Sequence, residues 1–310
     1  MITCLAGGVG AARMLRGIVA VRPSSEVTAV VNTADDLVLH GLAISPDLDT
    51  ITYTLAGAIS RDRGWGLEGE TWQAMEQLRT RYGGQAWFGL GDKDLATHLY
   101  RTQRRADGAT LTEVTAEIVD AWSLGGLRLL PMSDDPVRTR VTVAGDPPEE
   151  IGFQEYFVAR RHAVAVSAVR FDGVDAAAPG PDVLRSLEEA DRIVIAPSNP
   201  IVSIGPILGI TGVARVLRSR RDEVVAVSPI IAGAALKGPA DRLLTELGHE
   251  SSVVGVARIY ADVCGTLVID TADADLAGAV EAEGMRAVVA PTIMKGPDES
   301  AALARTVLSA

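Results

Sequence analysis

Short apolar runs rich in β-branched residues alternate along the chain with segments whose apolar residues recur every three or four positions. That alternation predicts parallel strands joined by crossover helices, a mostly parallel sheet covered on both faces. Residues 2–6 predict the first strand, and residues 10–21 the next helix, with Ala11, Ala12, Met14, Leu15 and Ile18 on its packing side. A second strand follows at 27–31. Later strands are expected at 163–169, 192–196, 223–227, 253–256 and 287–290, with helices at 181–190, 213–221, 240–247, 272–283 and 297–308.

Between residues 50 and 122 strand-like runs nearly vanish. Amphipathic patterns at 67–82, 92–105 and 110–122 replace them, and Thr110 with Glu113 has the spacing of a capping box. This predicts a helical insertion over roughly residues 52–125. Alternation within 127–158, clearest at 138–143, predicts an antiparallel excursion before the main sheet resumes. The expected fold class is α/β, a Rossmann-like sheet with helices on both faces and a helical insertion, forming a single domain over residues 1–310.

The net charge of −11 excludes a dedicated nucleic-acid binder, which needs a basic face to replace phosphate counterions. An anionic ligand must therefore be held locally. Cys4 and Cys264 are too few and too far apart for a thiolate zinc site or a disulfide framework, so a reduced, cytoplasmic setting is expected. No basic stretch precedes the first apolar run, and the longest uncharged run, 193–214, carries Pro197, Pro200 and Pro206. Neither a signal peptide nor a membrane span is expected.

The first strand runs into L-A-G-G-V-G-A-A-R-M, where Gly8 and Gly10 would let backbone N–H groups and a helix N-terminus approach a phosphate. Glycines serving only a tight turn are the alternative. Arg13 stands where a dinucleotide fingerprint has its third glycine, and the second strand ends in Val31-Asn32-Thr33 without a ribose-binding acid, so a nicotinamide dehydrogenase is disfavoured. Asp35, Asp36, Asp47 and Asp49 follow closely. In an extended segment Asp47 and Asp49 share a face, suiting a magnesium ion beside a phosphate cradle; a solvated acidic turn is the competing reading. In G-D-K-D-L-A-T-H-L-Y-R, Asp92 can cap a helix bearing Asp94, Thr97, His98 and Arg101. Only three lysines stand among 29 basic residues. Lys93 reads as an anion contact or as a surface ion pair, and His98 as a structural residue before a catalytic base. At the predicted strand ends 193–206 and 224–233, Ser198, Asn199, Ser203 and Ser228 would face a ligand in an open α/β sheet, or serve as rigid turns. Lys237-Gly238-Pro239 lacks the spacing of a Walker loop, Ser133, Asp134 and Asp135 read as a capped turn, and no covalent nucleophile is evident.

Taken in order, G-G-V-G, V-V-N-T-A-D-D, I-S-P-D-L-D-T, G-D-K-D-L-A-T-H, L-P-M-S-D-D-P, P-S-N-P-I-V-S-I-G-P-I and S-P-I-I-A-G resemble the CofD family over essentially the whole chain, most closely its actinobacterial members. The resemblance implies a magnesium-dependent transferase of coenzyme F-420 biosynthesis. It would move a phosphoenolpyruvyl or 2-phospho-L-lactyl group from a guanosine-diphosphate-linked donor to the terminal ribityl hydroxyl of the deazaflavin Fo, with GMP leaving. It also implies a homodimer. Carried over by motif, Asp49 and Lys93 would contact Fo, although the archaeal pattern often has arginine at the second position. Magnesium is expected on Asp47 and Asp49, with both as candidate catalytic carboxylates, and the nucleotide and its phosphates on Gly8, Gly10, Asn32, Ser198, Asn199 and Ser228. The competing class is a nucleotide-sugar-binding regulator sharing the glycine turn and the S-N-P block.

Overall fold

The structure is a computed structural model describing residues 1–85 and 87–310. It opens with strand β1 (Ile2–Ala6), helix α1 (Gly8–Val21) and strand β2 (Val27–Val31). A small antiparallel hairpin, β3 (Leu37–Leu39) with β4 (Leu42–Ile44), leads into helix α2 (Pro46–Leu55). Helices α3 (Gln73–Tyr82), α4 (Asp94–Ala106) and α5 (Leu111–Ala121) follow, and the chain re-enters the sheet as β5 (Arg128–Pro131).

Seven strands form the central sheet, in the order Arg286–Val289, Thr266–Ile269, Val224–Val227, Arg192–Ile195, β1, β2, β5, and every neighbouring pair is parallel. The inner strands are buried on both faces, which is why they read as unbroken apolar runs. Leu5, Val30, Ile193, Ile195 and Leu267 point into one core with the helices Val183–Glu188, Val213–Ser219 and Val253–Tyr260. Cys4, Ala29, Val31, Val194 and Val225 point into the other, against α1 and the closing helix Pro297–Ser309. From β1 the chain runs to β2 on one side, while Arg192–Ile195 pairs on the other. The crevice beyond the carboxyl ends of those two strands is where open α/β sheets hold ligands.

Three expectations of strand and helix placement are corrected. Residues 253–256 are not a strand but the start of the helix Val253–Tyr260, whose first turn is capped by Ser252 Oγ accepting from Val254 N and Gly255 N at 3.1 Å each. The strand lies further on, at Thr266–Ile269. A four-residue apolar run cannot separate buried helix from buried strand, and the serine cap was the deciding signal. Second, the strand near 163–169 is Val166–Asp172, and it joins a separate three-stranded antiparallel sheet with Arg138–Val143 and Glu149–Gly152 rather than the main sheet, whereas β5 belongs to the main sheet. Third, residues 46–55 are helical, not extended.

In the insertion, Thr110 and Glu113 form the expected capping box. Asp92, expected to cap α4, instead accepts from Gln73 N and Ala74 N at 3.0 Å each and so caps α3. Among the described residues no single helix is long and apolar enough to cross a membrane.

Candidate functional site

The glycine turn after β1 packs as tightly as its sequence suggests. A Cβ on Gly10 would fall 2.2 Å from the Pro197 carbonyl oxygen, so only glycine lets α1 start this close to the neighbouring strand end. Gly7 N donates to Ser198 Oγ (3.3 Å), which donates back to Gly7 O (2.8 Å), tying the two strand ends together. Gly8 adopts a left-handed φ of 73°, and its N–H donates to Asp47 Oδ1 at 2.9 Å.

Asn32, buried at the end of β2, organises the adjoining carboxylates. Its Nδ2 donates to Asp35 Oδ2 and to Asp47 Oδ2, both at 3.1 Å, and its Oδ1 accepts from Ala34 N. Asn32 therefore orients two acids instead of lining the cleft as a nucleotide contact. Burial pushes the Asp47 carboxyl up to about 6, against the hydrogen bonds from Asn32 and Gly8. Burial, then the neighbouring Asp47 charge, raises Asp35 well above the usual carboxylate range. Asp35 Oδ1 is buried without a hydrogen-bond partner.

Asp49 looks the other way. Two residues along an α-helix turn the side chain by roughly 200°, so the shared face expected for Asp47 and Asp49 does not exist. Asp49 instead forms a two-pronged ion pair with Arg101 of α4, one prong being Arg101 Nη1 to Oδ2 at 3.1 Å. His98 Nδ1 lies 3.7 Å from the same carboxylate. Tyr53 OH donates to Asp94 Oδ1 at 2.6 Å. Burial works to raise the Asp94 carboxyl, but His98 and Tyr53 outweigh it and hold it below its ordinary value.

These groups share one cleft of about 650 Å³, within the range of small-molecule sites. Gly8, Gly10, Asp35, Asp47, Ser198, Asn199 and Ser228 line it, as do Asp49, Asp94 and His98. Asn199 Oδ1 is spent on Ile201 N and Val202 N, and the Ser228 hydroxyl on Ile230 N and O, so both hold their loops as well as lining the site. Lys93 is not brought in: it is exposed, and its ammonium donates to Glu68 O at 2.7 Å. What the motif reading missed is the aromatic wall. Trp65, Phe88, Phe153 and Phe157 line the cleft from the insertion and from the segment after Glu149–Gly152. The only signal for it was a cluster of aromatic residues in segments with no motif.

Among the described residues no three carboxylate, imidazole or thiolate groups converge into a ready-made metal cage. Magnesium asks for less, one or two protein carboxylates with phosphate oxygens completing its shell. Asp35 and Asp47, adjoining, buried and with one oxygen unpartnered, have the donor chemistry for it. Both oxygens of Asp49 are engaged by Arg101.

The chain matches the family described as 2-phospho-L-lactate transferase CofD over residues 2–293. It is 43% identical over 311 residues to a phosphoenolpyruvate transferase of Kitasatospora aureofaciens, covering 99% of this chain and 97% of that one. A phosphoenolpyruvate transferase of Streptomyces griseus is 44% identical over 309 residues, with the same coverage. A crystal structure of a UPF0052 family member from Bacillus halodurans superposes with a TM-score of 0.62 at 15% identity, covering 99% of this chain and 98% of the other, a likeness of fold.

Proposed function

Because the chain belongs to the CofD family of 2-phospho-L-lactate transferases, we propose that it transfers a phosphoenolpyruvyl group from a guanosine-diphosphate-linked donor to the terminal ribityl hydroxyl of the deazaflavin Fo. The enolpyruvyl form of the donor is favoured over the lactyl form by the names of the relatives. The acceptor oxygen attacks the distal phosphorus, the bond from that phosphorus to the bridging oxygen breaks, GMP leaves with the bridging oxygen, and the acceptor hydroxyl's proton passes to the leaving phosphate or to water. No covalent intermediate is needed, so rate comes from placement and charge neutralisation.

The observation that carries this reading is that a glycine-rich turn and an aromatic wall face the same cleft. Backbone amides at the head of α1 suit the diphosphate. The flat faces of Trp65 and Phe88 suit a tricyclic ring. Asp35 and Asp47 would hold magnesium, which when bound supplies positive charge to the diphosphate. Asp49, paired with Arg101, orients the acceptor hydroxyl from the ring side.

The test is to incubate the protein with Fo, magnesium and either the enolpyruvyl or the lactyl donor, then read product mass and GMP release. A new Fo-derived mass with the enolpyruvyl donor is expected. Binding of nucleotide with no new mass from either donor overturns the proposal and supports the regulatory alternative.

A further inference from the structure

Two loops meet over the mouth of the cleft. Residues 59–67 form one, closed by an Ile59–Leu67 bridge and a Ser60 N to Gly66 O hydrogen bond of 2.9 Å, and it puts Arg63 and Trp65 on the cleft wall. The other continues from Ser228 and Pro229 and lines the cleft with Leu236, Lys237 and Gly238. Lys237 Nζ comes close to the first loop at Gly64, where a Cβ would lie 2.9 Å from it.

Three cationic side chains line the cleft, and two are already engaged. Arg13 Nη1 donates to Met294 O at 3.5 Å. Arg63 Nη2 donates to Leu67 O at 2.8 Å, and its guanidinium carbon lies 5.5 and 5.3 Å from the ring centroids of Trp65 and Trp72. Lys237 is exposed and has no hydrogen bond and no ion pair with the described residues, whereas half of the arginines pair with a carboxylate. Gly238, left-handed at a φ of 73°, and Pro239 follow it and fix the direction in which the loop leaves. An ammonium is a compact charge with three donors, suited to anionic oxygens approaching from more than one direction.

Resting on the transferase reading, we propose that Lys237 binds an anionic oxygen of the donor's transferred group at the seam between the nucleotide side and the ring side of the cleft. Its loop descends from the strand end that carries Ser228, and its Nζ reaches the loop that carries Trp65. The reacting phosphoryl group has to lie between those two, because there the donor meets the acceptor hydroxyl. The oxygen belongs either to the phosphoryl group or to the carboxylate of the acid it carries.

The experiment compares Lys237→Met and Lys237→Arg with the wild type in transfer kinetics, GDP affinity and melting temperature. Lys237→Met is expected to lose about 10²-fold in kcat/KM, the scale of removing one donor from a developing charge. Lys237→Arg recovers part of it, and neither variant shifts the melting temperature, because the side chain bonds to nothing in the protein. Weaker GDP binding by Lys237→Met assigns the contact to the phosphate, and unchanged GDP binding with lost transfer assigns it to the carboxylate. A Lys237→Met enzyme within twofold of wild type overturns the proposal. If the wild type binds GDP without turnover, the transferase reading fails by itself, and an equal GDP affinity in Lys237→Met then overturns the Lys237 assignment as well.

Discussion

Among the described residues Arg101 is the largest side chain fully enclosed, and its charge is met by Asp49. Removing one partner of such a pair strands the other in a low-dielectric interior, at a cost of about 3–5 kcal/mol. Asp49→Asn is therefore expected to lose both transfer and stability. Asp49→Asn combined with Arg101→Met should regain most of the stability and none of the activity, read by urea denaturation and by product formation. If the double variant turned over normally, Asp49 would be scaffolding alone. The two cysteines make a different prediction. Burial pushes the thiols of Cys4 and Cys264 up to about 12. Between about pH 8.5 and 12 the unfolded chain releases protons that the folded chain keeps, so this contribution to stability is intact below pH 8.5 and is lost as pH rises. At pH 10 the loss is roughly 2 kcal/mol per thiol. Denaturation midpoints at pH 8 and pH 10 should converge in a Cys4→Ala, Cys264→Ala protein relative to wild type, and native thiols should resist alkylation at pH 8.

At the scale of elements, α1 is clamped between the sheet and the closing helix Pro297–Ser309. A Cβ on Gly17 would fall 2.1 Å from the Ser300 carbonyl oxygen, so this crossing depends on glycine. Gly17→Ala is expected to cost roughly 1–3 kcal/mol through overpacking. For a chain of this size that is about 2–4 °C in melting temperature per kcal/mol, with the cleft chemistry otherwise preserved. The same scale shows what could be read beforehand. The inner strands and α1 were legible because strands buried on both faces and an amphipathic helix leave unmistakable periods. Helix α2 was not, because the alternation of Asp47 and Asp49 fits an extended segment, whereas Pro46 stands at the first helical position, where a helix tolerates proline best. That one misjudged element put Asp47 and Asp49 on a common face and hid the true companions, Asp35 for one and Arg101 for the other. Asn32 was legible as a site residue, but its job of holding two acids at 3.1 Å required the tertiary fold.

Across the whole molecule, the cleft is assembled from segments far apart in the chain, from Gly7 at one end to Met294 at the other. Local motifs marked the glycine turn and the acids, while the aromatic wall became a wall only when the insertion folded against the sheet. A ligand touching both halves should stabilise them together. GDP at a hundred times its dissociation constant is expected to add about 2.7 kcal/mol to the unfolding free energy, measurable as a thermal shift; no shift at saturation would contradict a nucleotide site here. The hydrogen bond from the Gly8 amide to Asp47 has a consequence for how such a ligand enters. On the transferase reading, the Gly8 amide is already answered by one of the protein's own carboxylates, so an incoming phosphate oxygen would displace a resident anion there instead of settling onto a bare amide. A lone orthophosphate would then gain little by docking there, and a turn answered from within would discriminate against the commonest small anion.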